Sequence, residues 1–290
     1  MLHPTHTSFR KALDELDIDV WSFAVKLHGY FKISTAYQED LLEISSLFED
    51  KTDLFFLWPV DTRWLSTQPV LERIQKKWGT ITQYFCTFVK NSNDQNEKNA
   101  RKTARYKRIL EFLEPGQNQL MYTTICWAIH LAKKTKSFLT MFQKEGPMVQ
   151  RLWSASNVLV KTIMEMFLKK APDVDKELEQ LDLSVRSGWK KVEHLDIGDV
   201  VRTALLKISP DLKEDLLRKF RSSAKAMAAY LQVQLPITNS VLKWCFYLCP
   251  VTRKSVVEED QPEVKKSVLR QDSCTWRGNF NDSVLKILRS

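Results

Sequence analysis

The sequence predicts a mainly α-helical fold, a multi-helix body that carries one or a few short strands. Three observations lead there. Apolar residues recur at steps of three and four along most of the chain, the period of one buried helix face. Only 7 glycines occur among 290 residues, too few for a fold rich in tight turns and hairpins. One apolar run, 54–60, is continuous instead of stepped and bounded by polar residues, which reads as a buried strand.

The elements follow in order. Residues 8–31 place Leu13, Leu16, Val20, Ala24 and Leu27 at helical spacing. The acids Asp14, Glu15, Asp17 and Asp19 read better as a solvated helix start, favoured by the helix dipole, than as a catalytic carboxylate group. A second helix is expected over 37–48 through Leu41, Ile44 and Phe48, with the strand after it. From Ser66 a long helix runs to Val89, because Val70, Ile74, Trp78, Ile81, Phe85 and Phe88 form one stripe. Residues 91–103 hold no apolar side chain larger than alanine and are predicted to be a loop.

A short helix over 104–113 closes at Pro115-Gly116, a turn signal. The next helix, 118–144, carries Leu120, Thr124, Trp127, Leu131, Phe138 and Phe142 and stops at Gly146-Pro147. Leu152, Leu159, Ile163 and Met166 mark another, reaching Lys169. Over 173–208 the pattern weakens to Leu181, Val185, Val192, Ile197 and Val201. Ser209-Pro210 then supplies a cap and a proline at the first helical position. That helix runs through Leu212, Leu216, Phe220, Met227 and Leu231 to Leu235-Pro236, and a last ordered segment spans 239–248. Residues 251–290 are charged and almost without periodicity, and read as a loosely ordered tail.

Composition narrows the function. Hydrophobic residues make up 43% and charged residues 27%, enough for a real core. No Gly-rich phosphate cradle occurs and no apolar run approaches membrane length. Five dispersed cysteines (86, 126, 245, 249 and 274) and no signal-peptide pattern at the N-terminus point to a reducing compartment, nuclear or cytosolic. Cys245 and Cys249 sit one helical turn apart, and core packing explains them better than a metal site. His130, among apolar neighbours, reads as a packing residue before a ligand. No cofactor is expected.

A net charge of +9 and a pI near 9.2 favour acidic partners or nucleic acid. Two features localise that preference. Arg63-Trp64 sets a forked cation beside an indole at the start of a helix, suited to phosphate contact and base stacking, or else to packing with the arginine stem over the ring. Lys98, Arg101, Lys102, Arg105, Lys107 and Arg108 form the strongest basic cluster, opposed locally only by Glu97 and Glu111. Such a run is either a solvated face or a phosphate-contact surface, with nuclear import a further use.

Four blocks in series carry a resemblance. Asp61-Thr62-Arg63-Trp64-Leu65-Ser66 precedes a helix ending in Tyr84-Phe85, and Arg105-Tyr106-Lys107-Arg108-Ile109 comes next. Phe142-Gln143-Lys144-Glu145-Gly146-Pro147 is followed by Tyr230-Leu231, Leu235-Pro236 and Leu248-Cys249-Pro250. In order and spacing, over about 30–250, these resemble hAT-superfamily transposases, and transposase-derived host proteins more than active elements.

The resemblance implies a ribonuclease-H-like fold interrupted by a large helical insertion. Residues 1–66 would be the remnant of that core, 67–250 the insertion and closing helices, and 251–290 the tail. Three carboxylates bind two divalent metals in that family. The first two belong to strands upstream of the arginine-tryptophan motif, for which this chain has no counterpart, and neither Asp272 nor Asp282 is assigned as the third. A non-catalytic protein is therefore expected, acting in the nucleus on DNA or on other transposase-derived or nuclear proteins. Arg63 and Trp64 match the family's DNA-contacting pair, whose tryptophan stacks on an extrahelical base. The family's C-terminal dimerisation segment has no counterpart, so oligomerisation by that route is not expected. The alternatives are a helical interaction scaffold without DNA binding, and an expressed relic without selected activity.

Overall fold

A single helix, Gln117–Met141, passes through the middle of the protein, and its residues Thr123 to Ile129 are buried without interruption. A helix apolar on every side belongs inside a bundle, and neighbours surround this one. Its three buried threonine hydroxyls donate back along the helix, Thr123 and Thr124 to the Gln119 and Leu120 carbonyls at 2.8 Å and Thr135 to the Ala132 carbonyl at 2.9 Å, so none is left unsatisfied. The structure is a computed structural model, and it describes residues 2–33, 35–47, 64–143, 149–170, 178 and 180–248.

In chain order the helices are α1 (Leu2–Asp14), α2 (Val20–Ile33), α3 (Thr35–Leu47), α4 (Trp64–Lys76) and α5 (Trp78–Gln83). A π-helical turn, Tyr84–Phe88, leads to the short α6 (Val89–Asn91). Then come α7 (Gln95–Lys102), α8 (Ala104–Leu113), the central α9 and α10 (Val149–Glu165). The described chain closes with α11 (Asp199–Leu205), α12 (Pro210–Gln234) and α13 (Ser240–Leu248). α9 packs on α4, α8, α10, α11 and α1, while α12 lies along α1 and α13 along α10. One contiguous core runs from Phe9 to Ile237.

The fold is mainly helical, as expected. Among the described residues there is no sheet; the one β-type pairing is an isolated antiparallel bridge between Leu168 and Trp189. The expected strand at 54–60 and the tail at 251–290 lie outside the described residues.

Four expectations need correction. The helix expected over 8–31 is two helices. Asp19 Oδ1 accepts from the Ser22 amide at 2.8 Å and starts α2 afresh, so the acidic stretch is a link and a cap. The helix expected over 66–89 is interrupted at Lys77, whose φ and ψ of −91° and 9° leave the α region, and then by the π-helical turn. Its stripe survives, with Val70, Ile74, Ile81 and Phe85 all in the core. The loop expected over 91–103 contains α7. Asp94 caps it, accepting from Asn96 N at 2.7 Å, and Ala100 with the stem of Glu97 supplies the buried face. The irregular stretch 173–208 contains α11, which follows Gly198 at φ +74°.

An aromatic cluster fixes the end of the molecule that carries the basic helices. Tyr30 stacks on Tyr37 (4.8 Å, 13°) and meets Phe85 edge-on at 5.0 Å. Tyr84 packs against Phe31 at 5.3 Å. Each such pair adds about 0.5–1.5 kcal/mol beyond area burial. The cluster therefore holds α2, α3 and the π-helical turn together, and α8 docks against them through Tyr106, whose ring lies 5.8 Å from that of Phe85.

Candidate nucleic-acid interface

Two short helices, α7 and α8, joined at Thr103, carry the basic cluster. Thr103 is the hinge between them: its hydroxyl accepts from Tyr106 N at 3.2 Å and donates to the Ala100 carbonyl at 2.7 Å. It thus starts α8 while closing α7. Glu97 and Ala100 turn α7's inner face to the core, which leaves Lys98 and Lys102, one turn apart, on its solvent face. On α8 the buried set is Tyr106, Ile109 and Leu113, so Lys107 and Arg108 face outward.

The six cations divide into two groups. Lys98, Lys102, Lys107 and Arg108 are exposed, and among the described residues none meets a carboxylate at ion-pair distance. Arg101 and Arg105 are occupied within the fold. Arg101 donates to the Lys90 carbonyl and, through Nη2, to the Ser92 carbonyl at 3.0 Å, so it closes the end of α6. Arg105 Nη1 donates to the Gly29 carbonyl at 2.9 Å, and the guanidinium lies over that glycine, 3.7 Å from where a Cβ would stand. The six expected cations thus divide into four without a carboxylate at ion-pair distance and two arginines that donate to main-chain carbonyls. Arg63 lies outside the described residues. Trp64 opens α4, and its ring is not among the described side chains.

A group of carboxylates gathers around Asp40. Asp40 of α3 has a buried Oδ2 without a hydrogen-bond partner. Burial pushes its carboxyl up to about 6, helped by the carboxylates of Glu97, Glu43, Glu39 and Asp94. Tyr37 is pushed upward by burial and then by Glu97 and Asp40. Sequence reading missed this group, since its members come from α3 and α7 and nothing local joins them. Glu97 does carry a local signal: it stands three residues after Asp94, the spacing of a capping box. On α7 the buried Glu97 lies near Asp40, while Lys98 and Lys102 stay in solvent. Polyanion contact would therefore fall on Lys98, Lys102, Lys107 and Arg108, away from Asp40.

His130 is a strut. Its ring lies 5.9 Å from that of Trp127, and its Nε2 stands 3.4 Å from Asp196 Oδ1, close but outside hydrogen-bonding geometry. Lys134 donates to the other Asp196 oxygen at 2.6 Å. Burial pulls the imidazole pKa down while Asp196 pulls the other way. No group of three or more metal-ligating side chains occurs among the described residues. No helix among them is long and apolar enough to cross a membrane.

Comparison of the chain with protein-family models, with curated proteins and with solved structures finds no match.

Proposed function

We propose that this chain is a non-catalytic helical protein that binds nucleic acid through α7 and α8, with Lys98, Lys102, Lys107 and Arg108 as the phosphate contacts. The observation that carries the reading is the division of the basic cluster. Four cations stand in solvent on successive helices, none at ion-pair distance from a carboxylate among the described residues, while Glu97 of α7 is buried. On this reading the body descends from an hAT-type transposase. Residues 1–66 would be what is left of a ribonuclease-H-like core, 67–250 the helical insertion and closing helices, and Arg63 and Trp64 would add a base-stacking contact. Action in the nucleus belongs to the same proposal.

The test is fluorescence anisotropy of labelled duplex and hairpin DNA with the full chain. Lys98→Glu/Lys102→Glu/Lys107→Glu/Arg108→Glu should weaken binding of both by at least about a hundredfold. A control reversing the exposed Lys136 and Lys207 should leave it nearly unchanged. Loss of hairpin preference alone in Trp64→Ala would support the stacking role.

A protein-interaction scaffold is the second reading, and one observation favours it. Val241 and Trp244, three residues apart on α13, are 56% and 46% exposed and leave apolar surface in solvent. Absence of DNA binding in a normally folded wild-type chain would favour it.

A further inference from the structure

The half-buried ring of Trp189 holds two cations of α12. The Arg221 guanidinium carbon lies 4.9 Å from the ring centroid and Lys225 Nζ 5.0 Å from it. These two residues stand one turn apart on the helix, so their side chains are neighbours. The ring itself is fixed. Its Nε1 donates to the Leu183 carbonyl at 3.1 Å, and its backbone forms the bridge to Leu168. Gln232 Nε2 ties the preceding loop to α12 through the Leu178 and Leu181 carbonyls, at 2.6 and 3.2 Å. A 3-10 turn, Arg186–Gly188, leads straight into Trp189 and brings a third cation, Arg186, near Arg221. Burial first, and then the like charges of Arg218 and Arg186, pull the Arg221 guanidinium below its ordinary pKa. Arg218 is answered by Glu214 at 2.5 Å. Among the described residues, Arg186, Arg221 and Lys225 have no carboxylate at ion-pair distance, and their side chains make no hydrogen bond.

We infer that Arg186, Arg221 and Lys225 form a binding site for the phosphate dianion of a small phosphomonoester. Like charges gathered at a partly buried place repel one another, and an anion between them turns that repulsion into attraction. Arginine offers a planar fork that matches two phosphate oxygens, and lysine adds a point charge. Three cations suit a dianion better than a phosphodiester or a carboxylate, each of which carries a single charge. Trp189 packs against the core and already carries two cations, so it positions them and is not offered to a nucleobase for stacking. Its anchored Nε1 and the loop pinned to α12 hold this arrangement in place before any ligand arrives.

The site lies apart in sequence from α7 and α8, and its test stands whether or not the chain binds DNA. Isothermal titration calorimetry of the full chain, in low-salt buffer free of phosphate, reads the binding of ethyl phosphate, inorganic phosphate and diethyl phosphate. The first two should bind, and diethyl phosphate, a monoanion, should bind at least about tenfold more weakly. Ethyl phosphate affinity should fall as pH drops through about 6, where the dianion takes up a proton. Arg221→Gln and Lys225→Gln should each weaken ethyl phosphate about tenfold, and so should Arg186→Gln at an exposed position where folding is not at stake. Lys98→Gln/Lys102→Gln/Lys107→Gln/Arg108→Gln should leave it unchanged. Equal affinity for the monoester and the diester, no loss in Arg186→Gln and Lys225→Gln, or no binding by a wild-type chain that melts cooperatively would each overturn the inference. Duplex DNA binding that falls in Arg221→Gln, without any binding of ethyl phosphate, would overturn it in favour of a polynucleotide contact.

Discussion

The phenol of Tyr106 on α8 donates to the main-chain carbonyl of Phe85, inside the π-helical turn, at 2.9 Å. A π-helical turn shifts the hydrogen-bonding register of its helix, and the displaced carbonyls need other partners. Burial pushes the phenol pKa upward, which keeps the proton available for donation. The same bond ties the basic helix α8 to the aromatic cluster. Tyr106→Phe should therefore lower stability by about 1–2 kcal/mol, read as the urea midpoint, with the m-value unchanged. An unchanged midpoint would mean that the Phe85 carbonyl does not depend on this bond.

Gly198 stands at φ +74°, and a Cβ built there would come within 2.6 Å of His130 Nδ1. Both the backbone and the space exclude a side chain. Gly198→Ala should cost about 2–3 kcal/mol. Adding His130→Ala removes the clash but not the strained φ, so the double variant should recover only part of the loss. A double-mutant cycle in thermal denaturation measures that coupling.

Stability should depend on pH through Asp40. Its carboxyl sits at about 6 in the fold against an ordinary 3.8, raised by burial and by the neighbouring acids. The folded chain thus holds this proton more tightly than the unfolded chain does. The contribution is fully present below 3.8 and is lost as pH rises through about 6. Asp40→Asn should remove that slope and stabilise the protein at neutral pH by about 1 kcal/mol, once solvent screening of a partly exposed group is allowed for. Urea midpoints at acidic and neutral pH provide the measurement; a slope identical in wild type and variant would assign the dependence elsewhere.

Trp127 contrasts with Trp244. The first is 1% exposed, stacks on Phe220 at 4.7 Å and 14°, and donates to Ser223 Oγ at 3.1 Å. Trp127→Ala should cost about 3–5 kcal/mol. Trp244→Ala, at a half-exposed position on α13, should cost under about 1 kcal/mol. Calorimetry of both variants separates the two roles.

Much of the helical order was legible because its signals are local. Ser209-Pro210 marked the start of α12, and Leu216, Phe220, Met227 and Leu231 supplied its buried face. Pro115-Gly116 marked the entry to α9, where Gly116 adopts φ +92°. α7 escaped notice because its buried face is alanine and the stem of an acid, so apolar periodicity had nothing to register; the Asp94 cap and Glu97 were its legible signals. The break before α2 escaped because the apolar spacing continues across it while Asp19 restarts the helix. At the candidate interface the cluster was visible as a run, but its division was not. Arg101 and Arg105 reach carbonyls 11 and 76 residues away, a relation that no local pattern encodes.

The salt dependence of duplex DNA binding tests the polyanion surface most directly. Four phosphate contacts should give a plot of log K against log salt with a slope of about −3.6, and Lys98→Gln/Lys102→Gln/Lys107→Gln/Arg108→Gln should bring that slope close to zero. A wild-type slope near zero, or one the quadruple variant leaves unchanged, would contradict the assignment of these four side chains.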